Sequence, residues 1–178
     1  LYGSGIMVGF LFFGLLVSPD TNFAVADYWR WMVVHMWVEV TFEVFTTVIV
    51  AYMLVQMGLV TRLMAERVIF LAVMLFLLTA TLGISHNFYW IAKPTGIIAI
   101  GSVFSTLQVL PLLLLTLDAW QMRQEGGRAS EYQSQGKQTF VMEGVWLFIL
   151  AVNFWNIFGA GVFGSLINLP IVNYFEHA

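Results

Sequence analysis

Four ionisable side chains lie inside apolar segments of the sequence, where such groups usually have a functional role. His35 and Glu39 are four residues apart, which places both on one face of a helix, and Glu43 extends that stripe by another turn. His86 lies in the next apolar segment. Ionisable groups are costly in hydrocarbon and normally face a bundle interior, where they mark ion, proton or metal sites. Two imidazoles and a carboxylate form the ligand set of a non-haem iron site with open positions.

Each of these residues also has a simpler interpretation. His35 and Glu39 could be a structural hydrogen-bonded pair, and His86 could be a histidine at the membrane interface. Glu43 is either a proton-relay carboxylate or a protonated residue bonded to a neighbouring helix, and Gln108 alone indicates a bond between helices. A carboxylate at the depth of Glu39 has to be paired, ligated or protonated, which favours a metal or proton role for the first pair.

The composition is that of a membrane protein. The 178 residues are 60% hydrophobic and 10% charged, with a mean hydropathy of +0.86, whereas soluble domains are about a quarter charged. The net charge of −3 and the lack of a basic run argue against nucleic acid as a partner. Because the sequence holds no cysteine, disulfides, thiolate catalysis, Cys-ligated zinc and iron–sulfur clusters are excluded within this chain.

Five apolar segments have the length that a transmembrane helix requires, and they predict an all-α, polytopic helix bundle in a lipid bilayer. The segments are roughly 3–18, 28–58, 66–90, 96–122 and 139–165. No internal repeat divides the sequence, so we expect one transmembrane bundle over 1–178. Since it begins with Leu1 in apolar sequence, we expect an internal fragment of a larger protein, whose remaining helices pack against it.

The distribution of basic residues predicts the orientation. Arg62, Arg67, Arg123, Arg128 and Lys137 flank the second and fourth connectors, whereas only Arg30 and Lys93 flank the first and third. The positive-inside rule therefore makes the second and fourth connectors cytoplasmic. At about 1.5 Å per residue, His35 and His86 lie about 10 Å and 6 Å inside the outer ends of their helices. We expect them to form one site in the outer half of the membrane, with Glu43 and Gln108 in a deeper polar layer at about 20 Å.

Three stretches of the sequence resemble the catalytic subunit of nitric oxide reductases, within the haem–copper oxidase superfamily. They are WMVVHMWVE at 31–39, GISHNFYW at 83–90, and FGAGVFG at 158–164 with YFEH at 174–177. The resemblance runs from the first helix to the end of the chain. It implies a binuclear centre in which non-haem iron faces a high-spin haem b, in a multi-pass protein of a prokaryotic cytoplasmic membrane.

The resemblance assigns roles to individual residues. His35, Glu39 and His86 match iron ligands, and Glu43 matches a second family glutamate one turn deeper. The family's third histidine ligand would stand at Asn87, and its fourth-helix glutamate at Gln108. The histidines that ligate haem in the family lie outside this chain. Asn is a weak neutral ligand compared with imidazole, and Gln cannot deliver a proton, so both departures alter the expected chemistry.

These two substitutions resemble the nitric oxide dismutase branch of the quinol-dependent reductases. The reaction proposed for that branch, 2 NO → N₂ + O₂, balances without protons or electrons. The first alternative is a nitric oxide reductase that makes N₂O with electrons from a quinol, which an intact quinol site or a haem c partner would favour. The second is a metal-free transporter or proton channel, which predicts no iron after purification.

Overall fold

The computed structural model describes residues 2–82, 94–124, 143–167, 169 and 171–172. Within these residues the chain forms helices and no strand, which confirms the predicted all-α class. The helices are α1 (Tyr2–Leu11, continued by a 3₁₀ segment, Phe12–Leu16), α2 (Phe23–Gln56), α3 (Arg62–Leu82), α4 (Thr95–Gln124) and α5 (Glu143–Leu166).

Length and surface both indicate a membrane environment. Helices α2, α4 and α5 are each long and apolar enough to cross a bilayer. Large apolar side chains cover the outside of the bundle: Phe23 is 85% exposed, and Phe70 and Phe148 are each 71% exposed. Such surfaces are stable against lipid or further helices, whereas soluble proteins rarely expose large contiguous apolar patches.

Capping residues set the helix boundaries, which differ from the predicted ones. Helix α2 begins at Phe23 and not near 28, because the Asn22 side chain accepts a hydrogen bond from the backbone N–H of Ala24 (3.0 Å). Helix α3 begins at Arg62 and not near 66, where Thr61 Oγ1 accepts the N–H of Met64 (3.2 Å). The predicted helical residues 83–90 and 139–142 lie outside the described residues.

The turn between α2 and α3 depends on a glycine. Gly58 has a φ of 70°, a left-handed conformation that L side chains rarely adopt. The backbone N–H of Leu59 then reaches back to the carbonyl of Leu54 (2.9 Å) and closes the end of α2. This tight reversal makes α2 and α3 neighbours, which brings their polar residues onto facing surfaces.

Helix α4 is broken in the middle, which corrects the predicted continuous helix over 96–122. Its two parts, Thr95–Leu107 and Leu110–Gln124, meet at Gln108 and Val109. Pro111 explains the break, because a proline lacks an N–H and its ring clashes with the carbonyl four residues earlier. The N–H groups of Gln108 and Val109 instead make longer bonds (both 3.4 Å) to carbonyls three residues back.

Wide π-helical turns interrupt two further helices. In α2 the turn covers Val40–Phe45, between α-helical parts Phe23–Glu39 and Thr46–Gln56. In α5 it covers Asn156–Phe163. Such turns are rare and occur often at functional sites. The turn in α2 directly follows Glu39 and contains Glu43, so it changes the direction in which Glu43 points relative to a regular α-helix.

The best-packed apolar cluster lies at one end of the bundle, away from the polar residues. It joins the second half of α2, the start of α3, the second half of α4 and the start of α5. Its most buried members include Ala51, Leu54, Leu115 and Ala119, each with no exposed surface. This cluster fixes how α2, α3 and α4 approach each other, and the same helices carry the polar site in their other halves.

Candidate functional site

His35 and Glu39 form a buried pair on α2. The Nε2 atom of His35 lies 2.9 Å from Oε1 of Glu39, and each residue is only 5% exposed. The i,i+4 spacing on a regular α-helical segment brings the two side chains together, as the sequence predicts. A carboxylate buried this deeply needs partners, and His35 is the first of them.

Thr79 of α3 is the second partner of Glu39. Its Oγ1 lies 2.6 Å from Oε2 of Glu39, and the residue has no exposed surface. The backbone carbonyl of Thr79 also lies 3.3 Å from Nε2 of His35. A single residue of α3 therefore contacts both members of the α2 pair, once through its hydroxyl and once through its carbonyl.

Gln108 comes from the break in α4 and lies beside the Glu39 carboxylate, close enough for its amide to interact with that group. Its Nε2 is buried, yet it makes no hydrogen bond of good geometry with any described residue. We therefore count Gln108 as a neighbour of Glu39 and not as a donor to it. The break caused by Pro111 is what places the amide at this point of the bundle.

Glu43 lies in the π-helical turn and is partly buried. Its carboxyl group is near enough to Glu39 for the two groups to interact electrostatically. Within the described residues, no hydrogen bond joins it to Gln108. The shared depth of Glu43 and Gln108 stays a prediction, and the α4 break brings Gln108 close to Glu39.

The donor set of the pair suits a metal. Two ligand atoms that are each about 2.1 Å from a metal and at right angles to it lie about 3 Å apart. The 2.9 Å between His35 Nε2 and Glu39 Oε1 matches that distance, and a metal would replace the proton between them. His86 and Asn87 lie outside the described residues, and among the described residues no three His, Asp or Glu side chains converge on one point.

Thr79 is the site residue that sequence reasoning missed. A signal for it exists, since it is a hydroxyl residue in the apolar run of α3 and precedes His86 by seven residues, or two helical turns. Threonine in a membrane helix commonly bonds its own backbone, so the residue type alone does not indicate a contact with Glu39.

The π turn of α5 packs against the break in α4. A Cβ atom built on Gly161 would lie 3.0 Å from Cγ1 of Val109, so a larger residue at this position would require the Val109 side chain to shift. Nearby, the hydroxyls of Thr106 and Ser165 are hydrogen-bonded across the same crossing. These contacts hold Val109, and with it the break in α4, against α5.

Comparison with known proteins places the chain in a family. The family model described as cytochrome c and quinol oxidase polypeptide I matches residues 1–178. The chain is also 31% identical over 173 residues to a nitric oxide reductase subunit of Stutzerimonas stutzeri. That alignment covers 97% of this chain and 34% of the relative, so the chain spans about a third of that protein. Because the family model matches the chain from end to end, the chain belongs to the cytochrome c and quinol oxidase polypeptide I family, whose members are polytopic helical membrane proteins.

Proposed function

We propose that the full-length protein acts on nitric oxide, and that it converts 2 NO to N₂ and O₂ at a centre of haem b and non-haem iron. Membership of an oxidase family and similarity to a nitric oxide reductase subunit support the oxidoreductase class and the substrate. The bacterial relative agrees with a location in a prokaryotic cytoplasmic membrane. Dismutation is the more specific part of the proposal and depends on two residues, Asn87 and Gln108.

His35, Glu39 and His86 would hold the iron, and the haem would be held by residues outside this chain. Bound iron would supply a coordination site for nitric oxide and a redox centre next to the haem. With Asn87 in place of a third histidine, the protein ligands are two histidines and one carboxylate, a set that leaves positions open. The 2.9 Å spacing of His35 Nε2 and Glu39 Oε1 supports a shared metal for these two residues.

The position of Gln108 is the observation that carries the choice of dismutation. Its amide lies beside the Glu39 carboxylate, where a glutamate could exchange protons with the centre and an amide cannot. Reduction of 2 NO to N₂O and H₂O consumes two protons and two electrons. Dismutation consumes neither, so a centre with an amide in this position, which cannot release a proton, is better suited to dismutation.

Reduction is the second candidate, and two observations favour it. The relative that covers 97% of this chain is a nitric oxide reductase subunit, and Glu43 lies near Glu39 as a carboxyl group that could still move protons. A quinol would then supply the electrons. A metal-free transporter or channel is a remote third candidate, since a buried His–Glu pair alone is compatible with proton transfer.

The double variant Asn87→His with Gln108→Glu tests the proposal. In the full-length protein, it restores an imidazole ligand and an ionisable group beside Glu39. We expect the product to shift from N₂ and O₂ toward N₂O when an electron donor is present, measured by gas analysis on the parent and the variant side by side.

Gln121→Glu is the matched control, because it makes the same chemical change at an exposed position of the same helix. It should leave the product ratio of the parent unchanged. A double variant that keeps the parent's ratio would show that Asn87 and Gln108 do not decide the reaction.

A further inference from the structure

The two oxygens of the Glu39 carboxylate have different surroundings. Oε1 faces His35 Nε2 at 2.9 Å, whereas Oε2 lies 2.6 Å from the hydroxyl oxygen of Thr79. Both contacts are buried, so water does not compete for either oxygen. The carboxylate is therefore held in one orientation by two elements, α2 on one side and α3 on the other.

The Thr79 hydroxyl has a choice of acceptors, and the distances indicate which one it uses. It lies 2.6 Å from Glu39 Oε2 and 3.0 Å from the carbonyl oxygen of Phe76. A hydroxyl has one proton and cannot donate fully to both. Hydrogen bonds from a hydroxyl to a carboxylate are shorter and about twice as strong as neutral ones, so the carboxylate is the favoured acceptor.

We propose that Thr79 is a positioning residue that makes Glu39 bind the metal through one oxygen only. Its hydroxyl donates a hydrogen bond to Oε2, so that Oε1, which lies 2.9 Å from His35 Nε2, would be the oxygen that binds the metal. A carboxylate that bound through both oxygens would fill a further coordination position, so Thr79 keeps that position available for nitric oxide. This inference rests on the iron site of the proposed function, and it is independent of whether the product is N₂ or N₂O.

The test compares three variants of the full-length protein. Thr79→Val keeps the size and removes the hydroxyl, whereas Thr79→Ser keeps the hydroxyl. Thr116→Val is the matched control, since Thr116 is also buried and, among the described residues, its hydroxyl donates to the Leu112 carbonyl of its own helix (2.9 Å). The readouts are iron affinity and the infrared separation of the two carboxylate stretching bands, assigned by ¹³C-labelled glutamate. That separation is wide for binding through one oxygen and narrow for binding through two.

We expect Thr79→Val to lose iron affinity by roughly 10- to 100-fold, the usual effect of removing a hydrogen bond to a metal ligand. In the variant molecules that still bind iron, the separation of the two carboxylate bands should narrow. Thr79→Ser and Thr116→Val should keep the affinity and the wide separation of the parent. A merely structural role for Thr79 would lower protein yield and leave the band separation unchanged.

Each other outcome has a distinct meaning. If the parent binds iron and Thr79→Val shows the same iron affinity and the same band separation, the positioning role is refuted and the proposed function stays intact. Parent protein that purifies without iron would remove the iron site, and the proposed function with it. If Thr79→Val does not fold, the parent decides the question: a wide separation supports the inference, and a narrow one refutes it.

Discussion

Gly159 and Gly161 lie in the same π-helical turn of α5, yet we expect alanine to be tolerated at only one of them. A Cβ atom on Gly161 would lie 3.0 Å and 3.4 Å from the two γ-methyl groups of Val109 and 3.6 Å from the carbonyl oxygen of Asn156. A Cβ atom on Gly159 would meet nothing within 4 Å. Both substitutions therefore add the same methyl group, and they differ in the atoms that this methyl group meets.

The contact distances set the size of the effect. Adding a methyl group to a filled site costs about 1–3 kcal/mol, because the neighbouring groups must shift. Replacing glycine by alanine in a helix gains about 0.5–1 kcal/mol of stability through lower chain entropy. We expect Gly159→Ala to be stabilising by that gain, and Gly161→Ala to be less stable than Gly159→Ala by about 1–3 kcal/mol.

The free energy of unfolding can be measured for the full-length protein by denaturant titration in mixed micelles. Val109→Ala removes the methyl groups that Gly161→Ala would meet, so the double variant should be more stable than the sum of the single effects predicts. Equal stabilities for Gly159→Ala and Gly161→Ala, or additive effects in the Val109 cycle, would refute the close approach of α5 to the α4 break.

Three further changes test other parts of the structure. His35→Ala should lower bound iron at least about 10-fold by metal analysis, since it removes one of few ligands; an iron content equal to that of the parent would show that His35 is not an iron ligand. Pro111→Ala should stabilise the protein by up to about 3 kcal/mol in micelle unfolding, because it removes a clash within α4; an equally or less stable variant would show that Pro111 does not cause the break. Glu66→Gln should change the free energy of unfolding by less than about 0.5 kcal/mol, because the 2.8 Å ion pair with Arg62 is exposed. A larger loss of stability would show that this ion pair is not exposed to solvent.

The class of the fold could be predicted from the sequence because a bilayer requires helices that are apolar and long enough to cross it. It also placed His35 and Glu39 side by side, since an i,i+4 pair depends only on local α-helical geometry. The roles of these residues as iron ligands, and those of His86 and Asn87, remain predictions. These predicted roles are supported by the resemblance to a family and by the spacing of His35 and Glu39.

Two features of the site depend on geometry that the sequence pattern does not reveal. The π turn at Val40–Phe45 alters the direction of Glu43, and such turns have no simple sequence signature. The break in α4 did have a signal in Pro111, but membrane helices often tolerate proline, so a continuous helix was the simpler interpretation. The break explains why Gln108 lies beside Glu39.

Thr79 could not be identified from sequence for a related reason. Its contact with Glu39 depends on how α3 packs against α2, and that packing is set by the Gly58 turn and by the apolar cluster at the other end of the bundle. The seven-residue spacing of Thr79 and His86 can be read from the sequence, but it does not show which residue of α2 faces Thr79.

The most direct test of the proposed chemistry supplies ¹⁵N-labelled nitric oxide to the full-length protein without any electron donor and follows the gases by mass spectrometry. We predict that ¹⁵N-labelled N₂ and O₂ form in equal molar amounts, the label being carried by N₂. Labelled N₂O that forms only after an electron donor is added would contradict dismutation and identify the protein as a nitric oxide reductase.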